Sequence, residues 1–150
     1  MNALLAEVRT VLATVPDPEI PVLSVLDLGV IRHLGERSDG TIEVGVAPTY
    51  SGCPATAVIK ADVVRALAAA GFRAATVDML SPPWTSDWIS AEGRRKLAEY
   101  GIAPPGEGVV ACPRCGSQQT EKLSEFGSTP CKALYRCEAC LEPFDLFKCI

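Results

Sequence analysis

Four cysteines near the end of the chain are spaced as two Cys-x-x-Cys pairs. Cys112 and Cys115 form the first pair, Cys137 and Cys140 form the second, and 21 residues separate them. Two such pairs can place four thiolates at the corners of one tetrahedron, which is how proteins hold a structural metal. Zinc is the expected metal, and iron in a rubredoxin-like site would fit a similar geometry. The alternative is that the pairs act as independent thiols or redox dithiols.

A fifth cysteine, Cys53, stands alone before a proline, far from the others in sequence. Pro54 suits the first position of a helix predicted over 55–70, so Cys53 is expected at or next to its N-cap. Ser51 and Gly52 would make the turn that leads into it. Unpaired N–H groups and the helix dipole favour a thiolate there, which is typical of a nucleophilic or metal-binding cysteine. A small buried core residue is the alternative.

A hydrolase built on Cys53 would need a general base, and the sequence offers no obvious one. The single histidine, His33, is predicted to be an ordinary strand residue in a hairpin. Asp17, Glu19 and Asp27 could act as paired acids, although carboxylates in loops near prolines mostly form turns or caps. These residues therefore do not predict a hydrolase with Cys53 as its nucleophile.

Two further cysteines follow the first metal pair. Cys131 lies between the two pairs and is either a buried thiol or a spare ligand or functional thiol beside Lys132. Cys149, next to the C-terminus, is expected to be an ordinary buried residue. Cys131 is accordingly kept as an extra candidate thiol, outside the predicted metal site of the four paired cysteines.

The composition argues against several classes of protein. Of the 150 residues, 48% are hydrophobic, which is too many for a disordered chain. The net charge is −4 with no basic part, so nucleic-acid binding is not expected. No stretch reaches the roughly 18 apolar residues that cross a bilayer, and the N-terminus does not resemble a signal peptide. Cysteines that serve as metal ligands and reactive thiols fit a reducing cytoplasm, where we expect the protein.

Hydrophobic periodicity and turn residues predict a compact α+β domain followed by a small β domain. The predicted elements are a helix over 3–15, a hairpin of strands over 30–36 and 41–47, a helix over 55–70, a strand over 72–80, a helix from Ser86 or Asp87 to Tyr100, and short β segments over 109–111, 122–126, 133–136 and 143–147. The predicted domains are 1–101, a Pro- and Gly-rich linker at 102–108, and a four-cysteine ribbon at 109–150. A ribbon this small needs a metal because it cannot bury enough apolar surface.

Three motifs together resemble the iron–sulfur assembly domain family. They are Asp17-Pro18-Glu19-Ile20-Pro21, Asp27-Leu28-Gly29-Val30-Ile31 and Thr49-Tyr50-Ser51-Gly52-Cys53-Pro54, and the resemblance covers roughly residues 1–100. It implies that Cys53 is the functional cysteine, a ligand for a transient iron–sulfur cluster or iron. It also implies that Asp17, Glu19, Thr49 and Ser51 belong to the supporting loops.

The whole chain, tail included, is similar to the PaaD family of small accessory subunits in aerobic phenylacetate degradation. The matching segments are Trp84-Thr85-Ser86-Asp87-Trp88-Ile89, Tyr100-Gly101-Ile102-Ala103-Pro104-Pro105 and Glu125-Phe126-Gly127-Ser128-Thr129. The resemblance implies a maturation factor without catalytic activity of its own, which would serve the oxygenase or the iron–sulfur reductase of phenylacetyl-CoA epoxidase. A cluster shared by two copies of Cys53 would favour a homodimer. The alternatives are a structural interaction subunit of the epoxidase and a thiol redox protein.

Overall fold

The computed structural model describes residues 3–50, 53–106 and 108–148. The predictions that concern Ser51, Gly52 and Cys149 lie outside these described residues. Within the same ranges, no helix combines the length and the apolar content that a membrane crossing requires. The chain divides into two compact units, one formed by Met1–Trp84 with Trp88–Ser90 and the other by Thr85–Asp87 with Ala91–Ile150.

The first unit places helices against a small mixed sheet. Its elements are α1 (Ala3–Leu12), α2 (Val25–Leu28), β1 (Ile31–Glu36), β2 (Ile42–Val46), α3 (Ala55–Ala69) and β3 (Ala74–Asp78). The strands follow the order β1–β2–β3, with β1 and β2 antiparallel and β2 and β3 parallel. Parallel neighbours need a crossover connection, and α3 supplies it. The predicted hairpin is confirmed, and so are the following helix and strand.

The core of the first unit comes from the stripes that the sequence periodicity marks. In α3, Ile59, Val63 and Leu67 recur every four residues and are buried. The remaining members of this core include Val8, Leu12, Val25, Leu28, Val44 and Val46, each at most 2% exposed. The first helix ends at Leu12 rather than at the predicted residue 15, because Val15 already donates its N–H to Leu12 in a turn. Burial of these apolar faces is the main source of stability for α1 and α3.

The second unit is a helix followed by a ribbon of short strands. Its elements are α4 (Ala91–Tyr100), β4 (Ile102–Ala103), β5 (Thr120–Ser124), β6 (Lys132–Cys137) and β7 (Pro143–Phe147). The strand order is β4–β7–β6–β5, with β4 parallel to β7 and the other neighbours antiparallel. The strand predicted over 109–111 is wrong, because these residues lead into the first cysteine pair without forming a strand.

The segment predicted as a linker differs from the observed structure at its start. Ile102 and Ala103 form β4, and both are buried. Further along the same segment, the Pro105 carbonyl accepts a hydrogen bond of 2.7 Å from the Arg94 guanidinium. The partner of β4 is β7, more than 40 residues later in the chain. The prolines and glycines of this segment, from which the linker was predicted, contain no information on that pairing.

The helix predicted from Ser86 or Asp87 begins later in the structure. Ser86–Trp88 form a 3₁₀ turn, and α4 starts only at Ala91. Just before the turn, the buried Trp84 side chain donates its indole N–H to the Leu28 carbonyl at 3.0 Å. This contact lies within the first unit and holds the chain just before the turn.

Candidate functional site

Cys53 occupies the end of the loop that enters α3. Its N–H donates to the Tyr50 carbonyl at 3.1 Å, and its own carbonyl accepts from the Thr56 N–H at 3.2 Å. Pro54 already has helical backbone angles, with φ −67° and ψ −22°, and α3 continues from Ala55. Cys53 therefore lies one residue before the N-cap, where the fixed turn directs its side chain.

The sulfur of Cys53 lies between a hydroxyl and a carboxylate. The Thr49 hydroxyl donates to Sγ over 3.7 Å, and Sγ donates to the Glu19 Oε1 over 3.6 Å. These distances suit hydrogen bonds to the large sulfur atom, and all three side chains are half-buried. Glu19 is 34 residues away in sequence, so only the fold brings it to the cysteine. The thiol thus has a proton acceptor beside it.

Asp17 shapes the turn that presents Glu19. Its carboxylate is buried, and one oxygen accepts the N–H groups of Glu19 and Ile20 at 3.0 and 2.7 Å. The Asp17 N–H donates to the Leu23 carbonyl at 2.8 Å. A carboxylate with two backbone donors holds a tight Asx-type turn. Asp17 therefore stabilises the turn on which Glu19 lies.

Asp27 takes part in a helix cap. Its carboxylate accepts from the Ser24 N–H, and the Ser24 hydroxyl accepts from the Asp27 N–H, both at 3.0 Å. This reciprocal capping box starts α2. Gly29 ends α2 with φ +77°, and a Cβ on it would lie 2.3 Å from the Trp88 carbonyl oxygen. The Asp-Leu-Gly motif therefore serves the local structure.

The ribbon brings the predicted metal ligands together. The sulfurs of Cys112, Cys115, Cys137 and Cys140 all lie within 4.8 Å of one another. The separation is 3.8 Å between Cys112 and Cys140 and 3.5 Å between Cys115 and Cys137. A metal bound to four sulfurs at about 2.3 Å needs sulfur separations of about 3.8 Å. The donor set therefore fits a tetrahedral metal ion, and a closed shell of four thiolates suits a structural role.

Each cysteine pair forms a knuckle in which the carbonyl of the first cysteine accepts from the residue four positions later, and its sulfur accepts a nearby backbone N–H. In the first, Cys112 Sγ accepts from the Arg114 N–H at 3.4 Å, and the Cys112 carbonyl accepts from Gly116 at 2.9 Å. In the second, Cys137 Sγ accepts from the Cys140 N–H at 3.4 Å, and the Cys137 carbonyl accepts from Leu141 at 2.9 Å. Leu141 thus stands where the first knuckle has glycine. Aligning the two pairs in the sequence would have revealed this substitution, which the motif analysis missed.

Without a metal, the four thiols hold their protons unequally. The Cys140 N–H lowers the pKa of the Cys137 thiol to about 6. The Glu142 N–H acts to lower the pKa of Cys140, but desolvation and the hydrogen bond with Cys137 together raise it to about 12. Metal binding requires thiolates, so an incoming ion must displace a proton from Cys140. Affinity for the metal will therefore rise with pH.

The remaining sequence candidates lie outside both groups of residues. Cys131 is buried in the ribbon, where its sulfur is 3.0 Å from the Thr129 hydroxyl, and it does not belong to the four-sulfur cluster. His33 lies in β1 with Nε2 3.3 Å from a Glu43 carboxylate oxygen. Among the described residues, no disulfide joins the cysteines. The structure thus separates a single loop thiol from a cluster of four.

Comparisons with known proteins match each unit to a family. Residues 5–79 match the model of an iron–sulfur cluster assembly protein, and residues 103–148 match the PaaD zinc beta ribbon domain. A protein of Escherichia coli (strain K12), described as a candidate 1,2-phenylacetyl-CoA epoxidase subunit, is 47% identical over 153 residues. The match covers 96% of this chain and 92% of that relative.

Two solved structures share the fold over 64% and 61% of this chain. A domain of unknown function, DUF59, from Bacillus anthracis has a TM-score of 0.57 at 21% identity and covers 64% of this chain and 97% of that one. A conserved hypothetical protein from Thermotoga maritima has a TM-score of 0.50 at 28% identity, with coverages of 61% and 91%. The first likeness shows the fold alone.

The two units and the four-sulfur cluster define a class of protein in which an α+β iron–sulfur assembly domain is joined to a four-cysteine ribbon. The chain belongs to the PaaD family, as its 47% identity to the Escherichia coli relative shows. The resemblance stated from the sequence motifs is therefore confirmed.

Proposed function

We propose that this protein is an accessory factor of phenylacetyl-CoA epoxidase that helps to assemble an iron–sulfur or iron centre through Cys53. The observation that supports the role most directly is the position of the Cys53 sulfur, 3.6 Å from the Glu19 carboxylate. The match to an iron–sulfur cluster assembly family supports the cargo, and the Escherichia coli relative supports the epoxidase as the target. The free thiols of the six described cysteines suit a cytoplasmic location.

The chemistry of capture follows from the pair of acidic groups. The S–H bond of Cys53 breaks as its proton passes to Glu19 and on to solvent, and a bond from sulfur to iron forms. A thiolate beside a carboxylate is unfavourable until a cation arrives, because two negative charges about 4 Å apart repel. Iron relieves that repulsion, and thiolate and carboxylate are both ligands for it.

Release of the cargo follows from incomplete coordination. A single thiolate with a carboxylate leaves most positions on an iron ion or cluster open to ligands of the recipient. The four-cysteine ribbon lacks this property because its shell is closed by protein sulfur. We therefore assign zinc to the ribbon as a resident structural metal and iron to Cys53 as transient cargo. The recipient would be the oxygenase or the iron–sulfur reductase of the epoxidase.

Replacing Cys53 by alanine should abolish maturation of the epoxidase while the chain stays folded with its ribbon metal. Sγ is half-buried and makes only weak hydrogen bonds, so the substitution should change the free energy of unfolding by about 1 kcal/mol or less. The measurement is iron and sulfide analysis after anaerobic purification, together with the activity of epoxidase matured in the same cells. Cys131→Ser is the matched control, because it alters a thiol outside both sites.

Full epoxidase activity with Cys53→Ala would overturn the proposal. If the variant also co-purified with the epoxidase in fixed stoichiometry, the chain would be a structural subunit instead. Measuring the molar mass of the wild-type chain with and without iron tests whether two copies share a cluster.

Replacing Glu19 by glutamine should slow iron loading at Cys53 by at least about tenfold and leave the fold unchanged. Glutamine keeps the shape of the side chain but cannot take the thiol proton, and positioned acid–base groups contribute about 10²-fold or more in rate. Stopped-flow absorbance of the iron–thiolate bands would measure the loading rate. Glu36→Gln, at an exposed position of β1, is the control, and equal rates in the two variants would rule out this role for Glu19.

A further inference from the structure

Leu141 is an exposed leucine at a position where the knuckle requires a left-handed backbone. Its φ is +67°, the only positive φ at a non-glycine residue in the described part of the chain, and its side chain is 68% exposed. The equivalent position of the first knuckle is Gly116, with φ +78°. Both residues donate the same N–H bond to the first cysteine of their knuckle. Glycine would therefore complete the second knuckle without the strain that a side chain adds.

The side chain of Leu141 does not belong to the described core of the ribbon. The buried cluster of this unit comprises Ala103, Cys112, Cys137 and Phe144, with Val110, Tyr135 and Leu146 packed against it. Leu141 is not among these residues, and its exposure leaves it little packing energy to gain. The knuckle needs this backbone conformation but not a leucine side chain, so a leucine in place of glycine points to a function outside the fold. For an exposed leucine, that function is contact with another molecule.

The neighbours of Leu141 define the partner it would fit. Glu138 and Glu142 lie on the same knuckle, and both are exposed. Neither forms an ion pair with the described residues, so their charge is available to a partner. An apolar side chain between two carboxylates matches an apolar pocket with a basic rim. Because the metal cluster would fix the knuckle, little conformational entropy would be lost when it docks.

We propose that Leu141 is a docking anchor that inserts into an apolar pocket with Lys or Arg at its rim, on a subunit of the epoxidase. The proposal rests on the proposed function, since it takes the recipient of the iron centre as the partner. In this proposal the second knuckle recognises the epoxidase subunit, and Cys53 binds the iron or iron–sulfur cluster. Binding to the epoxidase and assembly of its iron centre are then separate properties, and a substitution can remove either one alone.

The test replaces Leu141 by glycine in the full-length, metal-loaded chain. Relief of the positive φ should raise the unfolding midpoint of the ribbon by a few degrees, despite the greater freedom of glycine in the unfolded chain. Affinity for purified epoxidase lacking this chain should fall by about tenfold or more, measured by biolayer interferometry. A merely structural role would not weaken binding while it raises stability. Leu141→Met, which keeps an apolar side chain of similar length, should retain the affinity.

Val109 is the matched control because its side chain, 69% exposed, lies in the same unit without a positive φ. Val109→Ala should leave the affinity unchanged. Changing Glu138 and Glu142 together to glutamine should reduce the association rate and its dependence on salt. Unchanged affinity of Leu141→Gly would overturn the docking role, even if Cys53→Ala still blocks assembly. Conversely, if Leu141→Gly weakens binding while Cys53→Ala matures the epoxidase normally, the anchor holds and the assembly role fails.

Discussion

Replacing Cys112 or Cys137 by serine is expected to release the metal and unfold the ribbon. Both residues belong to the four-sulfur cluster, and both belong to the small buried cluster with Ala103 and Phe144. A cluster of this size cannot offset the conformational entropy of the strands around it. Binding of a structural zinc contributes on the order of 10 kcal/mol to the folding of small cysteine sites at neutral pH. The loss should therefore exceed the stability of the ribbon.

Metal content by mass spectrometry and amide resonances of β5 to β7 would measure this effect. The wild-type chain should contain one metal per ribbon, and the serine variants none. Cys131→Ser is the control, since it changes another buried cysteine of the ribbon that lies outside the cluster. A Cys112→Ser ribbon that stayed folded without metal would contradict the assigned structural role.

Replacing Gly29 by alanine is expected to destabilise the first unit by about 3 kcal/mol. Part of the effect is the left-handed backbone, which costs a residue with a Cβ about 1–2 kcal/mol. The rest is steric, because the new Cβ would lie 2.3 Å from the Trp88 carbonyl oxygen and 2.8 Å from its carbon. These are backbone atoms, so the chain itself must move. Overpacking of this kind costs a further 1–3 kcal/mol, roughly.

Gly40→Ala separates the two contributions. Gly40 has φ +87°, yet a Cβ there would meet nothing within 4 Å. This variant should therefore lose only about 1 kcal/mol. Urea unfolding, monitored by tryptophan fluorescence, would compare the stabilities of Gly29→Ala and Gly40→Ala. Trp84 and Trp88 are suitable probes because Trp84 bonds to Leu28, next to Gly29, and the Trp88 backbone lies against Gly29. Equal destabilisation by the two alanines would show that the close approach to Trp88 has no energetic weight.

The elements that sequence predicted well are those with local signals. The Asp39-Gly40 turn and the alternating residues of β2 identified the hairpin, and the four-residue period of α3 identified that helix. The metal knuckles are equally local, because Cys-x-x-Cys fixes two ligands within one turn. In each case the determining residues lie within a few positions of the structure that they form.

The elements that sequence missed depend on distant partners. Strand β4 exists because β7, more than 40 residues later, pairs with it. The same holds for the candidate site. Cys53 was identified by its proline, but its contact with Glu19 spans 34 residues and requires the whole unit to fold. Local periodicity contains no information on such pairs.

The position of β4 has a consequence for how such ribbons can be moved between proteins. A graft cut at residue 109 would leave behind Ala103, a member of the buried cluster, and would open the β7 edge along Asp145 and Leu146. An exposed strand edge recruits other chains and promotes aggregation. The transferable module therefore begins no later than Ala91, so that α4 and β4 stay with the four-cysteine cluster. Gene fusion or domain exchange that respects this limit would keep β7 paired on both sides.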